Sequence, residues 1–339
     1  MTSPPLLELD HLSTYYVSGQ GSRIVRAVDE VSLCVNAGET LGIVGESGSG
    51  KSTLALTLLR VLPPAARIVG GRMLLDGEDL VTKSEAEMRE IRGKKIAMIL
   101  QDPMASLNPL FTIGNQVAEP IQVHEGVGRR AAWDRARALL KAVRIPSPET
   151  RVRQYPHEMS GGMRQRIVGA IGISCEPRLL IADEPTTSLD LTIQAQYLNL
   201  LRELQREHGL ALIFITHNLG IVAKMCDQLA VMYAGRVVEQ GPVSRIFSRP
   251  THPYTKALLG SIPRMTDNRE QLTAIDGQPP DLSSLPPGCA FAPRCSMAFD
   301  RCRVEAPPEF AVDGGVTARC WHAAPHAEAP AAIARSSVA

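Results

Sequence analysis

Gly45-Glu46-Ser47-Gly48-Ser49-Gly50-Lys51-Ser52 is the stretch whose reading decides the fold. Before it, Leu41-Gly42-Ile43-Val44 is a short apolar run that reads as a buried parallel strand. After it, Ser52-Thr53-Leu54-Ala55-Leu56-Thr57-Leu58-Leu59 carries the apolar residues of a helix. Gly45, Gly48 and Gly50 let the loop between them take positive φ and curl its N–H groups around a triphosphate. The helix N-terminus adds a dipole that favours anions. Lys51 then reaches the β and γ phosphates and the Ser52 hydroxyl is offered to Mg²⁺, so the motif predicts a nucleotide site. An ordinary Gly-Ser turn would not need the whole motif between strand and helix.

Working outward, Leu6 to Tyr16 and Ile24 to Val35 alternate apolar and polar residues, as antiparallel strands flanking the strand of the loop. Pro63-Pro64 ends the strand–loop–helix unit Gly42 to Leu62. Lys95 to Leu100 is another apolar strand, closing on Gln101. From Asp102 to about Ser174 the spacing becomes helical, with Trp133, Ala136, Leu140 and Val143 on one stripe, which predicts a helical subdomain inserted into the sheet. The sheet resumes with Leu179 to Ala182, a helix from about Thr192 to Glu207, the strand Leu210 to Thr216, and a hairpin from Gln228 to Gln240 around Ala234-Gly235.

A chain of 339 residues exceeds one typical core of roughly 100 to 200, which predicts a main unit over 1–245 and a smaller one over 246–339. A net charge of +1 gives no argument for nucleic acid as a partner. The longest apolar stretches, Leu210 to Thr216 and Leu179 to Ala182, fall far short of the ~20 residues that span a bilayer. Met1-Thr2-Ser3-Pro4-Pro5 lacks the basic and apolar regions of a signal peptide, so a cytosolic protein is expected.

Further motifs surround the loop: Gln101, Ser160-Gly161-Gly162 opening a helical stretch to Ile173, Asp183-Glu184 closing an apolar strand, Ser188-Leu189-Asp190, and His217 after the strand Leu210 to Thr216. Together with Gly45 to Thr53, this set resembles the ATP-binding subunit of an ABC transporter. The strings Gln101-Asp102-Pro103-Met104-Ala105-Ser106-Leu107-Asn108-Pro109 and His252-Pro253-Tyr254-Thr255-Lys256-Ala257-Leu258-Leu259 resemble its dipeptide, oligopeptide and nickel importer branch. The likeness covers about residues 6 to 325. It implies an α/β P-loop NTPase cassette: a RecA-like core sheet, an antiparallel β subdomain, an inserted helical subdomain (about 102–175) and a small Cys-bearing C-terminal extension.

The resemblance also implies roles. Asp183 holds Mg²⁺ directly or through water, Glu184 polarises the attacking water, and His217 touches the γ-phosphate. Gln101 bridges the metal or water to the helical subdomain, and Tyr16, rather than Tyr15, stacks on adenine. Ser160, Gly161 and Gly162 form a second phosphate cradle, too far along the chain to share one γ-phosphate with the loop, which implies a dimer of cassettes. Ser188 and Asp190 join the two sites. Met163 departs from the general signature, which has Gln there, yet it resembles the peptide branch. The implied assembly is an importer motor on the cytoplasmic face of the inner membrane, peripheral to it. Its implied partners are a second, paralogous ATPase subunit, two transmembrane permease subunits and an extracytoplasmic solute-binding protein. The resemblance favours di- or oligopeptides as the solute, with nickel or another small solute as the alternative. A soluble ABC ATPase acting on nucleic acid is the competing class, and the tandem cassettes, coiled-coil insert or basic surface it would need are not visible in the sequence.

Cys289, Cys295, Cys302 and Cys320 give C-x5-C-x6-C-x17-C within a Pro-rich, loop-like segment, whereas Cys34, Cys175 and Cys226 are scattered. Four thiols in a reducing compartment point to metal rather than disulfides. The spacing lacks the tight knuckles of structural Zn²⁺ and suits the wider loops of a [4Fe-4S] cluster. Zn²⁺ and free thiols stay open as alternatives, with His322 a possible substitute ligand.

Overall fold

A computed structural model describes residues 4–18, 23–187, 189–261 and 275–324. The strands are β1 (Leu7–Val17), β2 (Ile24–Val35), β3 (Thr40–Val44), β4 (Ala66–Leu75), β5 (Glu78–Asp79), β6 (Ile96–Ile99), β7 (Leu179–Asp183), β8 (Ala211–Ile215), β9 (Gln228–Tyr233), β10 (Arg236–Pro242), β11 (Phe310–Val312) and β12 (Val316–Ala318). They form a large sheet in the order β11-β12-β10-β9-β3-β8-β7-β6 and a small sheet in the order β2-β1-β4-β5. The mixed α/β architecture follows from helices covering the large sheet.

In the large sheet β9, β3, β8, β7 and β6 run parallel. Parallel strands are covered on both faces, which is why their sequences are continuous apolar runs. Leu179 and Ile181 of β7 face one core with Ile213 and Ile215 of β8, while Leu180 and Ala182 face the other with Leu212 and Phe214. The first core lies between the sheet, the helix Lys51–Leu58 and the small sheet. The second holds the helical region, with Ile113–Glu125, Arg129–Ala142 and Gly161–Ile173 packed over Ile99, Leu180 and Phe214. Trp133 flanks this core, and Ala136, Leu140 and Val143 lie inside it, as their spacing predicts.

Two expectations are corrected. β1 and β2 are antiparallel strands, but they pair with β4 in the small sheet and do not flank β3, whose neighbours are β8 and β9. The C-terminal segment is not all loop. It carries the helix Asp300–Val304 and the hairpin β11–β12, which joins the large sheet where β12 pairs with β10 at Glu239 and Gln240. The β9–β10 hairpin turns at Ala234 (φ 49°) and Gly235 (φ 82°), two left-handed residues that match the twist of the strands. Among the described residues no helix is long and apolar enough to cross a membrane.

Candidate functional site: a phosphate cleft braced by the C-terminal extension

β3 delivers the chain into the loop 45–50, and the helix Lys51–Leu58 leaves it. Gly50 caps that helix at φ 103°, and a Cβ there would lie 2.0 Å from the Ala27 carbonyl oxygen, so this position accepts only glycine. The loop lines a cleft of about 510 Å³ together with Tyr16, Thr53, Gln101, Glu184 and His217. These residues, from five separate stretches of the sequence, thus meet around one space.

Lys51 is buried and folds its Nζ onto the loop, donating to the carbonyls of Gly45 (2.7 Å) and Glu46 (2.9 Å). Burial pushes its pKa down, and the charges of Glu184, Asp183 and Glu46 oppose that shift. Asp183 ends β7 and is also buried. Burial pushes its carboxyl up, a hydrogen bond from Ser52 pulls it down, and Glu184 beside it pushes it up again. Two adjacent carboxylates beside a hydroxyl, with one lysine for compensation, make a site that a divalent cation would relieve; Ser52 and Asp183 are the groups placed to hold it.

Glu184 has a left-handed backbone (φ 45°), unusual for a non-glycine residue. Its N–H donates to the Ile215 carbonyl at 2.9 Å, which fixes it between the ends of β7 and β8. Its carboxylate is gripped from three sides. Gln101 Nε2 donates to Oε2 at 3.1 Å, Thr187 Oγ1 donates to the same oxygen at 3.0 Å, and His217 Nδ1 lies 3.2 Å from Oε1. Such a carboxylate is held in one orientation at the cleft, as a general base must be. Thr187 was not singled out in the sequence; its position three residues after Glu184 was the available signal.

At the other end of the cleft, Tyr16 lines the space and its Oη stands 3.3 Å from Thr53 Oγ1. Tyr15 points elsewhere, donating to buried Asp29 at 2.6 Å, and burial pushes its phenol up to about 12. Ser160 caps the helix Gly161–Ile173 by accepting from the Met163 N–H (3.4 Å). Neither it nor Gly161 and Gly162 is among the residues lining the phosphate cleft. Ser160 and Gly161 are exposed, and a Cβ on Gly162 would lie 2.8 Å from Ile193 Cγ2. Asp190 caps the helix Leu191–His208, accepting from the N–H groups of Thr192 and Ile193 at 3.0 Å each. Ser188 lies outside the described residues.

The extension braces the loop, which sequence reading missed. Arg294 binds the Glu46 carboxylate through both Nη atoms, and the Glu46 N–H donates to Tyr254 Oη at 2.9 Å. Cys289, Cys295, Cys302 and Cys320 line one small cavity with His252 and His322. Burial pushes the thiols of Cys289, Cys295 and Cys320 up, the last to about 12, and the neighbouring cysteines add to the shift at each of them. His322 Nε2 is engaged with the Met297 carbonyl (2.9 Å). Among the described residues no group of three or more His, Cys, Asp or Glu side chains is placed to hold a metal ion. Cys289 and Cys295 pack against the core that contains Phe291, and Cys302 lies with Ala292 and Trp321.

Comparison with known proteins bears on this geometry. A family model described as "ABC transporter" matches residues 28–187, and one described as "Oligopeptide/dipeptide transporter, C-terminal region" matches 238–302. The chain is 49% identical to a probable peptide ABC transporter ATP-binding protein of Sinorhizobium fredii, over 93% of this chain and 94% of the relative. It is 47% identical to the oligopeptide transport ATP-binding protein OppD of Haemophilus influenzae, over 94% of this chain and 97% of the relative. Among solved structures, a dimeric ATP-binding cassette in a post-hydrolysis state with ADP and Pi superposes with a TM-score of 0.63 at 25% identity, covering 70% of this chain and 98% of that one.

Proposed function

The chain belongs to the ABC transporter family of ATP-binding subunits, and from that premise we propose that it is the ATP-hydrolysing motor of an importer for di- or oligopeptides. The observation that carries the catalytic reading is Glu184, oriented by Gln101, Thr187 and His217 at the mouth of the cleft that holds Lys51. In this reading Lys51 exchanges the loop carbonyls for the β and γ phosphates, and Ser52, Asp183 and Gln101 hold Mg²⁺, which neutralises phosphate charge when bound. Glu184 draws the proton from the attacking water, and His217 reports the presence of the γ-phosphate to the rest of the cassette.

Residues 1–245 act as the motor and 246–339 as its appended unit. The exposed Ser160 and Gly161, with Gly162, face the γ-phosphate of a second, paralogous cassette. Leu100, next to Gln101 in the chain, and Leu110 and Phe111 in the helical region are exposed apolar side chains, and they support docking of two transmembrane permease subunits on this side of the cassette, on the cytoplasmic face of the inner membrane. An extracytoplasmic solute-binding protein completes the assembly. ATP-driven uptake by the reconstituted complex, measured with a panel of di- and oligopeptides, tests the reading. Peptide uptake that requires ATP is expected, whereas vigorous ATP hydrolysis with no peptide carried would contradict peptide import.

The four cysteines are assigned to a [4Fe-4S] cluster, with Zn²⁺ as the alternative. Four sulfur atoms around one cavity, with no carboxylate in its lining, form a donor set suited to a thiophilic group, which would staple the extension when bound. Iron, sulfide and zinc analysis after anaerobic purification decides between them, and a colourless, metal-free protein rejects both.

A further inference from the structure

Two proline pairs, Pro279-Pro280 and Pro286-Pro287, bracket the segment Asp281-Leu282-Ser283-Ser284-Leu285 of the extension. Proline fixes φ, so this span is stiff and loses little entropy when it is laid against a surface. It is laid along β2. The Arg26 N–H donates to the Leu282 carbonyl at 3.1 Å, and Arg23 reaches Asp281 Oδ2 at 2.8 Å and Ser283 Oγ at 3.0 Å. Arg26 stands between Val25 and Ala27, and both of these line the phosphate cleft, as does Leu282 itself. Across the small sheet Tyr16 is the register partner of Val25. Tyr16, Val25, Ala27 and Leu282 are therefore the apolar part of the lining of a cleft they share with the loop 45–50.

We propose that Leu282 is a nucleotide-binding residue, and that the extension thereby closes the base side of the cleft in cis. The proposal rests on the reading of this cleft as an ATP site and deepens it. A planar base has two apolar faces. An aromatic ring takes one by stacking, and an aliphatic side chain takes the other by burial. The Arg23–Asp281 pair is exposed and weak by itself, so the strap is held chiefly by the Arg26–Leu282 backbone bond and by the packing of Leu282 and Leu285 against the core of Tyr233, Tyr254 and Phe291.

Isothermal titration of the full chain with Mg-ATP and, separately, with magnesium tripolyphosphate separates the base side from the phosphate side. Leu282→Ala is expected to weaken ATP binding roughly tenfold and to leave tripolyphosphate binding unchanged. Leu282→Met, which keeps the apolar volume, is expected to restore ATP affinity to within about twofold. Unchanged ATP affinity in Leu282→Ala, or an equal loss for both ligands, overturns the proposal. An unsubstituted chain that binds neither ligand would overturn the ATP reading itself, and the proposal with it.

Discussion

Arg294 closes on Glu46 through two parallel hydrogen bonds, Nη1 to Oε2 at 2.6 Å and Nη2 to Oε1 at 2.9 Å, and so ties the four-cysteine extension to the phosphate loop. The Arg294 side chain is 4% exposed and that of Glu46 27%. The pair is thus asymmetric: water can reach a stranded Glu46 far better than a stranded Arg294.

That asymmetry gives an ordered prediction for stability. Glu46→Ala leaves a buried guanidinium and is expected to cost about 3–5 kcal/mol, Arg294→Met about 1–3 kcal/mol, and the double variant less than Glu46→Ala alone. Urea unfolding of the three variants checks the order. A double variant as unstable as the sum of the singles would mean that the two residues act independently.

The two adjacent tyrosines should separate by function. Tyr16→Ala is expected to weaken ATP binding about tenfold and Tyr16→Phe to leave it within about twofold, because stacking needs the ring and not the hydroxyl. Tyr15→Phe removes a 2.6 Å hydrogen bond to buried Asp29, and is expected to cost about 1–2 kcal/mol of stability with ATP affinity unchanged. Fluorescent-nucleotide titration and thermal unfolding on the same three proteins distinguish the roles.

His252 gives the extension a pH dependence. It is buried, its Nδ1 accepts from the Tyr254 N–H at 3.0 Å, and burial, with the charge of Lys256 adding to it, lowers its pKa from 6.5 to about 3. The unfolded chain therefore takes a proton near pH 6.5 while the folded chain refuses it, so stability is full above that pH and is lost as pH falls towards 3. The loss attributable to this residue is about 2 kcal/mol between pH 7 and pH 5. His252→Asn keeps an acceptor for the Tyr254 N–H and cannot titrate. Its urea midpoint should fall less than that of the unsubstituted protein over the same interval, and parallel curves would remove His252 from this role.

What the sequence could show followed from local physics. The strand–loop–helix unit was readable because loop chemistry and the flanking apolar runs agree, and the positions of Asp183, Glu184 and His217 at or just past strand ends were readable because β7 and β8 are apolar runs buried on both faces. The placement of β1 and β2 was not, since alternation identifies a half-buried strand without saying which sheet it joins. β4 was missed because Arg67, Val69, Gly70, Gly71 and Arg72 are all exposed and the alternation is broken. The helix Glu85–Ile91 carries a capping box, Ser84 with Glu87, that was present in the sequence and overlooked in so short an element. Arg294 and Glu46 lie 248 residues apart, and no pattern in a single sequence pairs them.

The central claim is that Glu184, held by Gln101, Thr187 and His217, is the base for ATP hydrolysis in the Lys51 cleft. ATP turnover and ATP retention measured on Glu184→Gln in the assembled complex test it most directly. The account predicts turnover slowed by about 10²- to 10⁴-fold with ATP still bound and the cassettes held together around it. Turnover equal to that of the unsubstituted complex would contradict it.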